Sequence, residues 1–314
     1  MGRNLHIWCV FGLAIVGVSS AGSLLSSMDA IPPLLRACWR LQATVLVLVP
    51  GFVIQWRGAA PEIRAKYLQR RHLGWMAASG GFLALHFALW VASIDRTSLA
   101  HSLLFVTAHP VLLVTGMILV GRTVPRGAIL GSLLGFAGAA ITLLDLGSGE
   151  QEVTLIGDGL ALAGGAAVIG YFLIGRKLRL WMPLFLYATP VTAVAMVMLL
   201  IGSALIEPNA IADAGAFGWL APEWVATVSA LAIGAGLIGH TGLNASLRHM
   251  DPLIVSVGVT LEPVLGVLID RLLFATEWPG PWTVLGGTIL LIGLVLVARN
   301  EPTGRGNDST SSEA

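Results

Sequence analysis

Charge is what this sequence has least of. Asp, Glu, Lys and Arg make up only 11% of its 314 residues, against 56% hydrophobic residues, about half the charged share of a soluble globular domain. A chain of that composition cannot cover a water-facing surface, so an integral membrane protein is the class left. The net charge of +1 argues against nucleic acid as a partner, since no basic excess is present to meet phosphates. Cysteine is nearly absent. Cys9 and Cys38 stand in apolar stretches without ligand spacing around them, so neither a disulfide framework nor a zinc site is implied. An HExxH motif, a close acidic–histidine cluster, a glycine-rich phosphate loop and a soluble catalytic domain are all missing. A metal-dependent intramembrane enzyme drawing on His86, His101, His109, His240 and Glu262 is therefore the weakest of the available readings. No enzyme activity, cofactor or metal is expected.

What the chain does contain is ten apolar segments, near residues 5–25, 34–56, 73–93, 98–120, 127–146, 156–174, 182–206, 224–247, 252–274 and 281–299. Each is long enough to cross a hydrocarbon core of about 30 Å as a helix, so the fold class expected is all-α, with ten transmembrane helices. The first segment ends in Ser20-Ala21-Gly22-Ser23 like a cleaved leader, but its n-region holds just Arg3 and it is longer than a usual h-region, so it is read as a span. Connections are short, and only residues 301–314, rich in Ser, Gly and acidic side chains, read as a disordered tail. With the N-terminus inside, 14 of the 18 Lys and Arg residues fall on the inner side and only Arg36, Arg40, Arg96 and Arg271 on the outer. The positive-inside rule then puts both termini in the cytoplasm. Trp56, Trp75 and Trp181 near inner helix ends, and Trp219, Trp224, Trp278 and Trp282 near outer ones, are expected as interfacial anchors.

Ten spans divide into five and five, and an odd number per half makes the second half enter the membrane inverted. The residues carry the repeat. His86 and His240 are 154 apart, Trp90 and Asn244 154, His109 and Glu262 153, Pro110 and Pro263 153, Gly131 and Gly286 155, Gly138 and Gly293 155. The chain is thus expected to hold a first repeat at 1–150 and a second at 151–300. Inverted repeats with prolines breaking corresponding helices near the midplane mark transporters whose site lies between the halves.

Glu262 is the one charge near the middle of the ninth segment, halfway along it. A carboxylate at that depth costs about 3 kcal/mol on insertion scales and usually faces a bundle interior or wet cavity. It can load and release a proton as the cavity changes its exposure, or simply bridge two helices. His109 stands at the matching place in the first half and titrates near physiological pH. The two can share a proton or take a zwitterion from opposite sides. His86 with Trp90, and His240 with Asn244, are each spaced i, i+4 and so share a helix face; the repeat turns both faces toward one axis, to line a cavity or to bond helix to helix. Pro110 and Pro263 break their helices. Arg36 and Arg40 are expected to snorkel to headgroups at the outer end of the second span rather than to attract an anion. Ser19, Ser20, Ser23, Ser26 and Ser27 either line the pathway or allow close packing. Gly131-xxx-Gly135 is read as a packing motif within the fold more than a dimer contact.

The segments Leu83–Asp145 and Gly236–Arg299, with Pro110-Val111 and Pro263-Val264 midway along a helix and a glycine-spaced last helix in each, resemble the conserved part of an EamA repeat of the drug/metabolite transporter superfamily. Gly157-Asp158, Tyr171, Arg176-Lys177-Leu178 and Arg40 add to the likeness, which covers about residues 32 to 299. The first helix departs from the family by lacking its Trp-Gly pattern, the fourth ends in Gly121-Arg122 instead of Gly-Glu, and the equivalent acidic residue of the second half would be Glu277. The resemblance implies a carrier of small metabolites, often an exporter of amino acids or related compounds. The expectation is a plasma-membrane transporter working by alternating access, with Glu262 and His109 coupling it to protons. Its partners are a small-molecule substrate and the lipid bilayer, with a homodimer left open. A channel would not need inverted halves. A nucleotide-sugar or phosphate-sugar antiporter of the same superfamily is the alternative, but it would be expected to place several basic residues in the cavity, where the deep positions here read as neutral or titratable.

Overall fold

The computed structural model describes residues 2–146, 153–274 and 280–300. Glu277, Trp278 and the tail 301–314 lie outside them. Every regular element among the described residues is helical. In chain order these are α1 (Gly2–Ser19) and α2 (Ala21–Ser26), α3 (Pro33–Gly58), α4 (Pro61–Tyr67), α5 (Arg70–Ile94), α6 (Leu99–Val106), α7 (His109–Leu119), α8 (Arg126–Leu146), α9 (Leu155–Arg179), α10 (Leu184–Ile206) and α11 (Ala210–Ala214). Next come α12 (Pro222–Ala230), which runs through a π-helical segment (Leu231–His240) into α13 (Thr241–Ser246), then α14 (Pro252–Val259), α15 (Glu262–Phe274) and α16 (Pro281–Arg299).

Eight spans among the described residues are long and apolar enough to cross a membrane: Leu5–Ser26, α3, α5, Leu99–Leu119, α9, α10, Pro222–Ser246 and α16. They fit a multi-pass membrane protein. The other two expected segments are helical but fall short of that measure, α8 because its apolar stretch is the shorter Arg126–Thr142, and 252–274 because it is divided into α14 and α15.

Two breaks of the same design interrupt the bundle. α6 ends at Thr107 and α7 restarts at His109-Pro110; α14 ends at Thr260 and α15 restarts at Glu262-Pro263. Proline lacks the N–H that a continuous helix would use there, and each threonine turns its hydroxyl back onto carbonyls of its own helix. The Thr107 hydroxyl donates to Leu103 O at 2.7 Å and lies 3.2 Å from Leu104 O, and the Thr260 hydroxyl donates to Val257 O at 2.6 Å. The serines of the first span act similarly. Ser19 donates to Ile15 O at 2.7 Å and Ser20 to Gly17 O at 3.0 Å, where α1 bends into α2; such back-bonding bends helices. Those two hydroxyls are spent on their own backbone.

α8 and α16 cross with their backbones almost touching. A Cβ on Gly131 would lie 2.6 Å from Gly293 O, and one on Gly138 2.5 Å from Gly286 O. Because Gly131 matches Gly286 and Gly138 matches Gly293 in the repeat, each glycine meets the counterpart of the other, the reciprocal pattern of a two-fold contact.

The start of α3 is fixed by charge. Pro32 offers no cap, and the Glu207 carboxylate takes its place, accepting from Leu34 N at 2.6 Å and Leu35 N at 3.1 Å, an anion at the positive end of a helix. Arg36 does not snorkel. It is fully buried, donates to Met28 O at 3.1 Å and pairs with Asp95 at 2.5 Å. Among the expected interfacial tryptophans, Trp75 and Trp181 hold Lys177 and Lys66 over their rings, each at 4.3 Å. Trp219 is a correction: it is buried and donates to Gln42 Oε1 at 2.7 Å, because residues 207–221 fold back on α3, where Trp39 also donates to Gly215 O at 3.1 Å.

Three outcomes test this packing. Gly138→Val or Gly286→Val is expected to destabilise the detergent-solubilised protein by about 1–3 kcal/mol through overpacking, seen as a lower melting temperature. Gly74→Ala, where nothing lies within 4 Å of an added Cβ, is expected to be neutral or stabilising by up to about 1 kcal/mol. Asp95→Asn leaves the Arg36 charge buried without its partner and should cost about 2 kcal/mol, less than a fully buried pair because Asp95 is partly exposed; the double variant with Arg36→Met should recover much of that loss.

Candidate functional site

The two helix breaks meet at the middle of the molecule and leave a chamber between them. His109, first residue of α7, and Glu262, first residue of α15, both line it, and both are buried. A hydrogen bond of 2.6 Å from His109 Nδ1 to the Ser256 hydroxyl ties α7 to α14, so each break abuts the other's helix pair. α1 and α2 contribute Val18 and Ala21, α9 contributes Val168 and Phe172, and Leu243 comes from α13. The space left for the centres of water-sized molecules is about 30 Å³, enough for two or three waters. The chamber is closed around very little.

α5 presents His86 and Trp90 to it on one face, as the i, i+4 spacing requires. Their rings stack with centroids 5.9 Å apart and planes 16° from parallel. His86 Nδ1 is 3.0 Å from Gly164 O, and a carbonyl only accepts, so that nitrogen carries a proton and donates it. α9 comes this near because residue 164 is glycine: a Cβ there would sit 3.2 Å from both His86 O and Trp90 N.

His240 closes the π segment and reaches the chamber from the far side, 6.3 Å from the His86 ring and 5.2 Å from Phe87. π segments recur at functional sites because they re-aim the residues that follow. Asn244 is four residues on but does not reach the main chamber. It lines a smaller adjoining pocket of about 10 Å³ with Tyr171, Thr44 and Thr192, and its Nδ2 donates to Tyr171 Oη at 2.5 Å. Pro110 and Pro263 are buried beside the breaks and line neither space.

Sequence reasoning missed the most consequential member, Arg40. It stands seven residues into α3, about 10 Å along the helix axis, beyond the reach of a snorkelling side chain. It is 1% exposed and lines both the chamber and the adjoining pocket, with its guanidinium 4.5 Å over the Phe87 ring. The deep positions are therefore not all neutral or titratable; one carries a permanent cation. Glu262 lines the same chamber, but among the described residues no salt bridge joins the two. The signal available was the depth itself, together with the threonines of Thr107-x-His109-Pro110 and Thr260-x-Glu262-Pro263, which extend the repeat around the breaks.

His101 is not part of this site. Its Nδ1 faces Asp158 Oδ2 at 3.2 Å, and Thr97 donates to the other carboxylate oxygen at 2.8 Å, tying the start of α6 to α9. Among the described residues no three His, Cys, Asp or Glu side chains come together as a metal site. A larger groove of about 540 Å³ between α7, α9 and α14 is lined mainly by aliphatic residues and takes in none of the expected site residues.

No family model matches the chain, and no curated protein matches it. Solved structures do: 28 chains match, among them a protein crystal structure with a TM-score of 0.72 and 19% sequence identity, over 94% of this chain and 98% of that one. At that identity the likeness is one of fold, and it extends over nearly the whole of both chains.

Proposed function

We propose that this protein is a ten-helix, EamA-like carrier of the drug/metabolite transporter superfamily, built as two inverted five-helix repeats at 1–150 and 151–300 and moving a small polar metabolite by alternating access. The observation that carries the reading is the chamber itself: two helices broken at matching Thr-x-(His/Glu)-Pro sequences place His109 and Glu262 on one cavity, where inverted-repeat transporters bind substrate. The reciprocal glycine contacts of α8 and α16 support the two-fold relation. With α8 and the α14–α15 pair counted as spans, both termini lie in the cytoplasm of a plasma-membrane protein.

In this reading Glu262 couples movement to protons. The groups sharing its chamber are Arg40, His86, His109 and His240, so a proton arriving there has one carboxylate and three imidazoles to choose from. An amino acid or amine is the leading substrate class, and export the leading direction. Arg40 favours a second reading, the phosphate-sugar or nucleotide-sugar antiporter, because a guanidinium matches a phosphate; the single deep arginine stands against the several basic residues expected there.

Cells expressing the wild type at matched membrane levels are expected to accumulate in the medium a compound that vector controls do not. Glu262→Gln should cut that accumulation by roughly an order of magnitude or more, whereas export equal to wild type would assign Glu262 a structural role. In liposomes, uptake should rise with an imposed pH gradient; a rate that ignores the gradient but responds to substrate on the opposite side would move the assignment to an antiporter.

A further inference from the structure

We infer that Arg40 is the receptor for an oxyanion on the chamber's ligand, a carboxylate or a phosphoryl group, with the Trp90 indole N–H as a second donor and Glu262 as the counter-charge that faces Arg40 before the ligand arrives. This rests on the chamber being a substrate site, and it adds the chemistry that the substrate must carry.

The argument is one of unmet hydrogen bonds. A guanidinium has five N–H donors and no acceptor, and burying such a group without partners is among the costliest choices a chain can make. Arg40 is buried, yet its Nε and Nη1 have no hydrogen-bond partner among the described residues, and neither has Trp90 Nε1. Both side chains line the chamber. Arg36, one turn earlier on α3, also leaves its Nε without a partner, but its two Nη groups reach the Met28 carbonyl and the Asp95 carboxylate. The face of the Arg40 guanidinium is occupied by Phe87, which leaves its edge to be used, and the edge is the part that binds carboxylate or phosphate with two parallel hydrogen bonds. His86, His109 and His240, the titratable neighbours, are imidazoles rather than fixed anions. Among the described residues Glu262 is thus the one carboxylate lining the chamber, and no ion pair fixes it to Arg40. An incoming oxyanion therefore finds donors that are already oriented and not engaged elsewhere.

The test uses the full chain in lipid nanodiscs and a matched set of probes: isovalerate, L-valine, isobutylamine and inorganic phosphate, each at millimolar concentration. At least one of the oxyanion-bearing probes is expected to raise the melting temperature by about 3 °C or more, while isobutylamine does not. Which of them does so separates a carboxylate site from a phosphate site. Arg40→Gln should weaken the effective probe by on the order of 100-fold. Arg40→Lys, which keeps the charge and loses the fork, should weaken it at least about tenfold, and it carries the test if the glutamine variant does not fold. Trp90→Phe should weaken it less. Stabilisation by isobutylamine alone, an unchanged response in both Arg40 variants, or no response to any oxyanion would each overturn the inference. Liposome uptake separates this from the transporter reading. Oxyanion binding through Arg40 without uptake leaves the site standing and removes transport, whereas uptake of isobutylamine unaffected by Arg40→Lys leaves transport standing and removes the oxyanion role.

Discussion

The structure turns on two opposite charges kept in a place where water is scarce. Arg40 and Glu262 are both buried at the meeting point of broken helices, and among the described residues neither has an ion-pair partner. A membrane bundle of aliphatic helices has no need of either group, and each costs several kcal/mol to remove from water. A chain that keeps both has kept them for something other than stability. Their separation across a chamber, rather than contact in a salt bridge, is the arrangement a ligand can enter.

The surrounding architecture serves that placement. Where α6 gives way to α7 and α14 to α15, the helices stop at threonines whose hydroxyls bond back onto the end of their own helix. His109 and Glu262 then occupy the first position of the restarted helices. Stacked imidazole and indole rings from α5, and the end of the π segment, complete walls that are polar at a few atoms and apolar elsewhere, the usual make-up of a small-molecule site.

Much of this was legible before any coordinates. Apolar run length located the helices, with 98–120 realised as Leu99–Leu119 and 281–299 as Pro281–Arg299. The constant offset between the halves singled out His86, His109, His240 and Glu262, all of which the fold brings to one chamber. What escaped were features decided by non-local partners. Arg36 and Arg40 look alike in sequence, and only the approach of Asp95 to the first shows that the second is left over. Trp219 reads as an anchor until residues 207–221 fold back to bring it to Gln42. Ser19 and Ser20 look like pathway donors because the sequence does not show a hydroxyl turning onto its own helix. Asn244 meets His240 in the adjoining pocket, but its amide turns to Tyr171 and only His240 also lines the main chamber.

The crossing of α8 and α16 bears on how such a molecule can move. With glycine on both sides at each contact, the two backbones meet directly, with the Val297 and Thr142 side chains packed against the same glycines, and a slide along either helix would drive these groups into one another. The motion this joint leaves cheap is a swivel about the contact. Since α8 belongs to one half of the chain and α16 to the other, the joint behaves as a pin: a small angular change there becomes a larger linear displacement at any group some distance away, without repacking at the pin itself.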